Sequence, residues 1–258
     1  MLLAVNVGNT NTILGVFRGE DLAWHWRTST QAERTADELA VLFGGLLAQQ
    51  ELSFSRQITG VVISSVVPPT TQALREMAVR YFGFPPVVVE PGTRTGIPIL
   101  TDNPREVGAD RIVNALAAFS QHGGPCIVID FGTATTYDAV SEKGEFLGGA
   151  IAPGIQISNV SLSRATARLP QVELTAPRSV IGKNTVEAIQ SALLYGTAAE
   201  VDGLVERMEK DLGPATVVAT GGLAEMVVEH CRTIDHHEPW LTLEGLRLVF
   251  EKNAGSDD

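Results

Sequence analysis

A strand, a polar turn and a returning strand occur twice in this chain, once near the start of each half. The first copy runs from Leu2 to Phe17 around the turn Asn6–Thr12. The second runs from Cys126 to Val140 around the turn Asp130–Thr136. Apolar strands on both sides of a glycine-centred turn predict a β-hairpin in each place. The repetition within 258 residues predicts two similar domains that face each other across a cleft.

Both turns have the composition of a phosphate-binding site. Gly132 can adopt positive φ and leaves no side chain in the way of a ligand, and Gly8 is the aligned glycine of the first turn. The backbone N–H groups and threonine hydroxyls around them then face one small volume, which suits a phosphate. Asp130 ends its strand, so its carboxylate can hold a cation at that volume. Either turn alone is equally compatible with a plain hairpin, but two copies favour a nucleotide bound in the cleft.

The charge and composition of the chain narrow the classes of partner. A net charge of −11 and a pI of about 4.9 argue against nucleic acid and anionic membrane surfaces. Phosphates would therefore be held by backbone amides and metal ions. Apolar residues make up 44% of the chain, yet no run approaches the roughly 18 residues that span a membrane. Two cysteines and a start without a signal peptide predict a cytoplasmic protein with no disulfide framework.

Strands alternate with helices along the first half. Asp21–Arg27 and Ile58–Val67 have the apolar content of strands, the second buried on both faces. Thr35 followed by acidic residues predicts the start of a helix, and Thr70–Tyr81 has helical spacing. This alternation predicts an α/β fold with mixed sheets flanked by helices. Gly123-Gly124-Pro125 breaks the chain before the second hairpin, so we place the domain boundary there, between residues 1–122 and 123–258.

A second candidate site lies at the start of a helix in the first half. The apolar residues from Ile112 to Phe119 share one helical face, which places Asp110 and Arg111 in or beside the first turn. Asp110 has two interpretations. It is an ordinary acidic residue stabilised by the helix dipole, or it meets a ligand in the space that Gly108 leaves at the helix start.

The second half has a further helix start and a glycine turn. Asn184 and Glu187 have the spacing of a helix cap, and the helix they begin is expected to extend to Leu212. Thr216–Ala219 predicts a strand that ends at a glycine pair able to approach a nucleotide. The tail from Asn253 to Asp258 is expected to be disordered.

Taken together, these blocks resemble the type III pantothenate kinases of the acetate kinase/sugar kinase/actin-like superfamily. The resemblance spans nearly the whole chain and is carried by spaced blocks: Asn6–Thr12, Asn103–Arg111, Asp130–Thr136, Gly148–Gly154 and Gly182–Thr185. It implies two similar actin-like (ribonuclease H-like) domains with a cleft between them. It also implies phosphorylation of pantothenate by ATP to 4′-phosphopantothenate, the first step of coenzyme A biosynthesis. The family works as a homodimer and needs Mg²⁺ and a monovalent cation, K⁺ or NH₄⁺.

The resemblance also implies roles for individual residues. ATP would be bound by the first turn and one residue of the second: Asn6, Val7, Gly8, Asn9, Thr10, Asn11, Thr12, Ile13 and Thr133. Pantothenate would be bound by Gly108, Ala109, Asp110, Arg111 and, across the dimer interface, Thr185. Asp110 would be the base that takes the proton from the pantothenate hydroxyl. Asp130 would hold the monovalent cation.

Two positions depart from the pattern of the family. Asn6 stands where members usually have an aspartate that organises Mg²⁺, and Thr101 stands where many have a tyrosine near the pantothenate. A neutral amide is a weaker ligand for a hard cation than a carboxylate. Two alternatives to a pantothenate kinase therefore stay open. One is a catalytically weak member that binds nucleotide or pantothenate as a regulator, and the other is a related kinase of a different small hydroxylated substrate.

Overall fold

The structure is a computed structural model that describes residues 1–54 and 56–254. In chain order the strands are β1 (Leu2–Val7), β2 (Asn11–Arg18), β3 (Asp21–Ser29), β4 (Gly60–Ser65), β5 (Val87–Val88), β6 (Cys126–Phe131), β7 (Ala134–Val140), β8 (Phe146–Pro153), β9 (Thr216–Thr220) and β10 (His236–His237). The helices are α1 (Ala36–Ala48), α2 (Pro68–Met77), α3 (Ala109–His122), α4 (Ile155–Ala165), α5 (Thr185–Ser191), α6 (Thr197–Leu212), α7 (Ala224–Val228) and α8 (Leu241–Ala254).

The first sheet has the strand order β3-β2-β1-β4-β5. Its central strand β1 pairs antiparallel with β2 and parallel with β4. Alternate residues of β1 and β4 enter a hydrophobic cluster with α1 and α2 on one face of the sheet. On the other face α8 approaches closely. A Cβ added at Gly15 would lie 2.7 Å from Leu243, and one at Gly60 would lie 2.3 Å from Phe250. Both faces of the sheet are therefore covered by helices.

The second sheet repeats the order and the directions of the first. Written from the corresponding edge, its strand order is β8-β7-β6-β9-β10. Its central strand β6 pairs antiparallel with β7 and parallel with β9, as β1 does with β2 and β4. A second hydrophobic cluster packs residues of β6 and β9 against α4, α6 and α7. The fold class is thereby confirmed: two similar α/β halves, each with a mixed sheet flanked by helices.

The helix boundaries follow from local chemistry. Thr35 caps α1 with a complete capping box, since its hydroxyl accepts the Glu38 N–H and the Glu38 carboxylate accepts the Thr35 N–H at 2.8 Å. The helix predicted over Thr70–Tyr81 is present, although it begins earlier and its last turn, Ala78–Phe82, is a π-helix. The long helix predicted after Asn184 is also present, with a π turn at Ala192–Gly196 between α5 and α6.

The residues fall into two compact units. The first comprises residues 1–97, 103–117 and the chain from residue 242 onward, and the second comprises residues 98–102 and 118–241. The last helix belongs to the first unit because its apolar side chains cover the first sheet. These limits differ from the domains 1–122 and 123–258 that the sequence predicts, and that division stays a prediction.

The end of α8 corrects one expectation about the tail. Asn253 and Ala254 are helical, and the Asn253 amide donates to Arg94 O at 2.9 Å and to Val249 O at 2.7 Å. Residues 255–258, the rest of the tail predicted to be disordered, lie outside the described residues.

Candidate active site

The turn between β1 and β2 is closed by hydrogen bonds that the sequence alone did not reveal. Gly8 N–H donates to Asn11 O at 2.9 Å. Thr30, which follows β3, donates its hydroxyl to Gly8 O at 2.8 Å, and its own N–H donates to Thr10 O at 2.9 Å. The Thr30 hydroxyl proton is used in the bond to Gly8 O. The Thr12 hydroxyl is therefore the donor in its 2.9 Å hydrogen bond with Thr30 Oγ1. Thr30 therefore fixes the shape of the turn from outside it.

The side chains of this turn divide into buried and exposed groups. Val7 and Thr12 are buried, so Val7 can meet a ligand only through its backbone, and the Thr12 hydroxyl is used inside the turn. Asn9, Thr10 and Asn11 are exposed, and Asn6, Gly8 and Ile13 are half-buried. The turn thus offers exposed polar side chains and backbone to a ligand on a rigid support.

The turn between β6 and β7 is shorter and is braced by the start of α4. Gly132 N–H donates to Ala134 O at 3.1 Å, and Gly154 N–H donates to Thr133 O at 3.2 Å. A Cβ on Gly154 would lie 2.3 Å from Thr133 O, so glycine is required for this contact. Thr133 itself is exposed. The structure therefore presents Thr133 on a turn whose backbone is held from both sides.

Asp130 lies at the end of β6 beside two glycines. A Cβ on Gly221 would lie 2.4 Å from Asp130 Oδ1, and one on Gly132 would lie 3.5 Å from the same atom. Gly221 also has φ +99°, in the region that favours glycine. The glycine turn after β9 thus leaves room for the Asp130 carboxylate. Among the residues that the structure describes, no group of three or more His, Cys, Asp and Glu side chains is placed to hold a metal ion.

Asp110 lies in the first turn of α3, as the sequence predicts. A short 3₁₀ turn, Pro104–Glu106, precedes it. Asp110 Oδ1 accepts the N–H of Arg111 at 2.9 Å, and a Cβ on Gly108 would lie 2.5 Å from the same oxygen. Glycine at position 108 therefore lets the carboxylate fold back over the helix start. The whole segment Gly108–Arg111 is half-buried, so the carboxylate is reachable without being fully solvated.

Thr185 is the first residue of α5 and is exposed. The preceding turn is rigid. The Asn184 side chain accepts the Glu187 N–H at 2.9 Å, while the Glu187 carboxylate accepts the Lys183 N–H at 3.0 Å and Arg178 Nε–H at 2.6 Å. The bond to Arg178, and then the one from Lys183, lower the pKa of Glu187. The predicted cap is present, although Glu187 reaches Lys183 rather than Asn184.

The second unit also carries large apolar side chains that are exposed. Ile151 lies on the edge strand β8 and is 64% exposed, and Ile181, just before α5, is 72% exposed. Val180 and Val186 add to this set, which we call the apolar face. Burial of such exposed aliphatic side chains against another protein would be favourable.

The candidate residues thus lie on four separate elements. Asn6–Ile13 form one turn and Gly108–Arg111 begin α3, both in the first unit. Asp130 and Thr133 share a second turn, and Thr185 begins α5, both in the second unit. Two sheets of the same order, each with a glycine turn after its central strand, define the actin-like fold.

Solved structures of low sequence identity share this fold. Component A of the (R)-2-hydroxyglutaryl-CoA dehydratase from Acidaminococcus fermentans matches with a TM-score of 0.59 at 14% identity, covering 98% of each chain. A ROK hexokinase from Thermus thermophilus matches with a TM-score of 0.52 at 15% identity, covering 98% of this chain and 99% of the hexokinase.

Closer relatives identify the family. The type III pantothenate kinase family matches residues 2–207. Type III pantothenate kinases from Streptomyces griseus and Frankia alni are 58% and 59% identical to this chain. The alignments cover 98% of this chain in both cases, and 99% and 100% of the relatives. The chain belongs to the type III pantothenate kinase family, and it is a kinase that phosphorylates pantothenate in coenzyme A biosynthesis. Neither the regulatory alternative nor a kinase of another substrate is favoured by these matches.

Proposed function

We propose that ATP binds at Asn6–Ile13, which form the phosphate loop, and that Thr133 contributes to binding. The observation that carries this proposal is the repeated turn at the end of each central strand, supported by Thr30 in one copy and by Gly154 in the other. Both turns carry exposed polar side chains that can donate to a phosphate: Asn9, Thr10 and Asn11 in the first and Thr133 in the second. Because the protein carries a net charge of −11, such local donors are needed to hold an anionic substrate.

Pantothenate binds, in this proposal, at the start of α3. Asp110 takes the proton from the hydroxyl that attacks the γ-phosphoryl group, and Gly108, Ala109 and Arg111 hold the substrate. Phosphoryl transfer has a loose transition state, so positioning and charge neutralisation contribute more than the strength of the base. A half-buried aspartate at a helix start is adequate for this role.

A divalent metal such as Mg²⁺ accompanies ATP in a kinase of this class. Mg²⁺ keeps several waters and is usually held by substrate phosphates with one or two protein oxygens. At the end of β1 the side-chain oxygen of Asn6 would be the protein donor to the metal or to its water shell. The metal would supply neutralisation of the phosphate charge. The finer proposal, that Asp130 holds K⁺ or NH₄⁺, is supported by the space that Gly221 and Gly132 leave beside its carboxylate.

We further infer that the active species is a homodimer in which Thr185 meets pantothenate in the partner's site. The apolar face supports this inference, because it lies in the same unit as Thr185 and includes Val186 in the following position. No helix in the described parts of the chain is long and apolar enough to cross a membrane.

A coupled ADP-release assay with pantothenate, MgATP and K⁺ or NH₄⁺ tests the proposed function. We expect turnover that depends on all three components. A protein that binds MgATP but releases no ADP with pantothenate would contradict the proposal and revive the regulatory alternative.

A further inference from the structure

Ser64 is a buried serine at the end of the strand next to Asn6. In the parallel pairing of β1 with β4, Asn6 and Ser64 are direct partners. Directly paired residues project to the same face of a sheet, and neighbouring strands lie about 4.8 Å apart. The two side chains are therefore neighbours, with the half-buried Asn6 on the solvent side and Ser64 fully buried at 0% exposure.

Ser64 Oγ is buried and has no hydrogen-bond partner, so it forms no bond with the neighbouring Asn6 in this structure. The adjacent Ser65 shows the contrast, since its hydroxyl donates to Val67 O at 3.2 Å and accepts Val67 N–H at 3.1 Å. Buried hydroxyls are nearly always paired, so an unpaired one requires an explanation.

The same juxtaposition recurs in the internal repeat. Asp130 occupies the place in β6 that Asn6 occupies in β1, the fifth residue of a six-residue strand. Its parallel partner in β9 is Thr220, a hydroxyl residue that is 1% exposed. Each copy of the fold thus sets a buried hydroxyl beside the Asn or Asp at the end of its central strand.

We propose that Ser64 is a positioning residue for Asn6, an inference that rests on ATP binding at Asn6–Ile13. When MgATP binds, the Asn6 amide donates an N–H to Ser64 Oγ. This bond turns the Asn6 carbonyl oxygen, the one atom of the amide that can serve a hydrated cation, away from the sheet and toward the phosphates. An aspartate would have two equivalent oxygens and no such requirement. Ser64 therefore specifies the orientation of an amide.

The first test compares nucleotide binding with and without metal. Ser64→Ala should raise the Kd of MgATP in calorimetry by about two- to tenfold, the range of one net hydrogen bond. The Kd of ATP in EDTA and the Kd of pantothenate should stay unchanged. Ser65→Ala is the matched control, because Ser65 is adjacent but faces the other side of the sheet, and its MgATP affinity should equal that of wild type. Should Ser64→Ala fail to fold, Ser64→Cys keeps the volume and supplies a poor acceptor for the same comparison.

The second test separates positioning from packing. In an Asn6→Asp background, Ser64→Ala should change the Kd of MgATP by less than about twofold, since a carboxylate needs no orientation. An equal loss in both backgrounds, an equal loss without Mg²⁺, or wild-type MgATP binding by Ser64→Ala would each overturn the role of Ser64. Failure of the wild type to bind MgATP would instead remove the proposed ATP site, and with it this inference.

Discussion

At the scale of single residues, Asn6 has the most informative substitution. It ends the central strand of the first sheet in the place where the second copy has Asp130. Asn6→Asp keeps the size of the side chain and adds a charge that binds Mg²⁺ or its water shell. We expect kcat/KM for MgATP to rise by up to about tenfold, which requires ~1.4 kcal/mol of transition-state stabilisation. No change would mean that the side chain does not govern the metal. A decrease would mean that this protein has built its metal site around the amide.

Asp110 is the residue on which the chemistry of the proposal depends. Asp110→Asn keeps the hydrogen bond from the Arg111 N–H but removes the base. We expect kcat to fall by about 10²–10⁴, the usual effect of losing a general base, with unchanged thermal unfolding. Asp211→Asn, an exposed residue of α6, is the control and should keep wild-type activity. Near-normal turnover of Asp110→Asn would exclude Asp110 from proton transfer.

Asp130 is tested by the salt dependence of the reaction. If its carboxylate holds a monovalent cation against the phosphates, activity should rise when Na⁺ is replaced by K⁺ or NH₄⁺. Asp130→Ala should remove that response. Steady-state rates in the three chloride salts at constant ionic strength measure this. Equal rates of the wild type in all three salts would refute the assignment.

At the scale of elements, Asp202 of α6 clamps the loop that leads to β10. Its carboxylate is 5% exposed and accepts N–H groups of Arg232 at 2.8 Å and Thr233 at 3.1 Å, and the Arg232 Nε–H at 2.9 Å. Burial raises the pKa of Asp202, but these hydrogen bonds outweigh it and hold the pKa below its ordinary value of 3.8. The charged form is therefore the one that stabilises the fold.

The stability of an Asp202→Asn variant should depend on pH in a defined direction. The folded-state pKa lies below the unfolded one, so the stabilisation is complete well above pH 3.8 and is lost as the pH falls through the lowered pKa. At pH 7 we expect a loss of about 1.5–3 kcal/mol, typical of hydrogen bonds to a charged group. Urea unfolding from pH 7 to pH 3 should show the gap to wild type closing. Glu206→Gln, which removes only the negative charge from an exposed 3.3 Å contact to the same arginine, should cost less than about 1 kcal/mol. A gap that stays constant with pH would contradict this assignment.

Local sequence patterns predicted the features whose signals lie close together in the chain, and missed those that depend on distant residues. The helix start at Thr35, the two hairpins, and the first turn of α3 with Asp110 were predicted, because their signals lie within a few residues of each other. Thr30 and Asp202 were missed as organising residues. Thr30 bonds a turn 22 residues earlier, and Asp202 bonds a loop about 30 residues later. Such contacts leave no periodic trace in the sequence.

The same limit applies to the placement of α8. Its apolar face predicts a helix but does not say which sheet the helix covers. The signal that could have indicated its partner lies elsewhere, in Gly15 and Gly60, whose missing side chains leave the space for Leu243 and Phe250. A glycine inside a strand often marks a close approach of another element. The prediction that the tail is disordered from Asn253 onward was partly wrong for a similar reason. Asn253 is held by a hydrogen bond to Arg94, which is distant in the sequence.

At the scale of the whole molecule, the repeat explains how a small acidic chain can handle a polyphosphate. Each sheet ends its central strand in a turn with exposed polar groups, and each pairs an Asn or Asp with a buried hydroxyl. The two copies differ. The first has an amide and a longer turn, while the second has a carboxylate beside glycines that leave it room. In the proposal the first turn binds ATP and its Mg²⁺, and the second contributes Thr133 to ATP and Asp130 to the monovalent cation.

The assembly offers a test that depends on sharing of sites between subunits. If each site takes Asp110 from one subunit and Thr185 from its partner, two inactive variants should complement each other. Asp110→Asn removes the base, and Thr185→Tyr blocks the exposed start of α5 by bulk. Random exchange makes half of the dimers mixed, and each mixed dimer has one site with both wild-type residues. The mixture should therefore recover about a quarter of wild-type activity.

Controls make this outcome specific to a shared site. Mixing Asp110→Asn with Asp110→Ala should recover nothing, because every site then lacks the base. Ile181→Glu places a charge on the apolar face, so it should yield monomers in sedimentation and abolish activity. Val41→Glu, equally exposed on α1 of the first unit, should do neither. A fully active monomer, or a mixture of Asp110→Asn and Thr185→Tyr that stays inactive although mixed dimers form, would show that each subunit holds a complete site of its own.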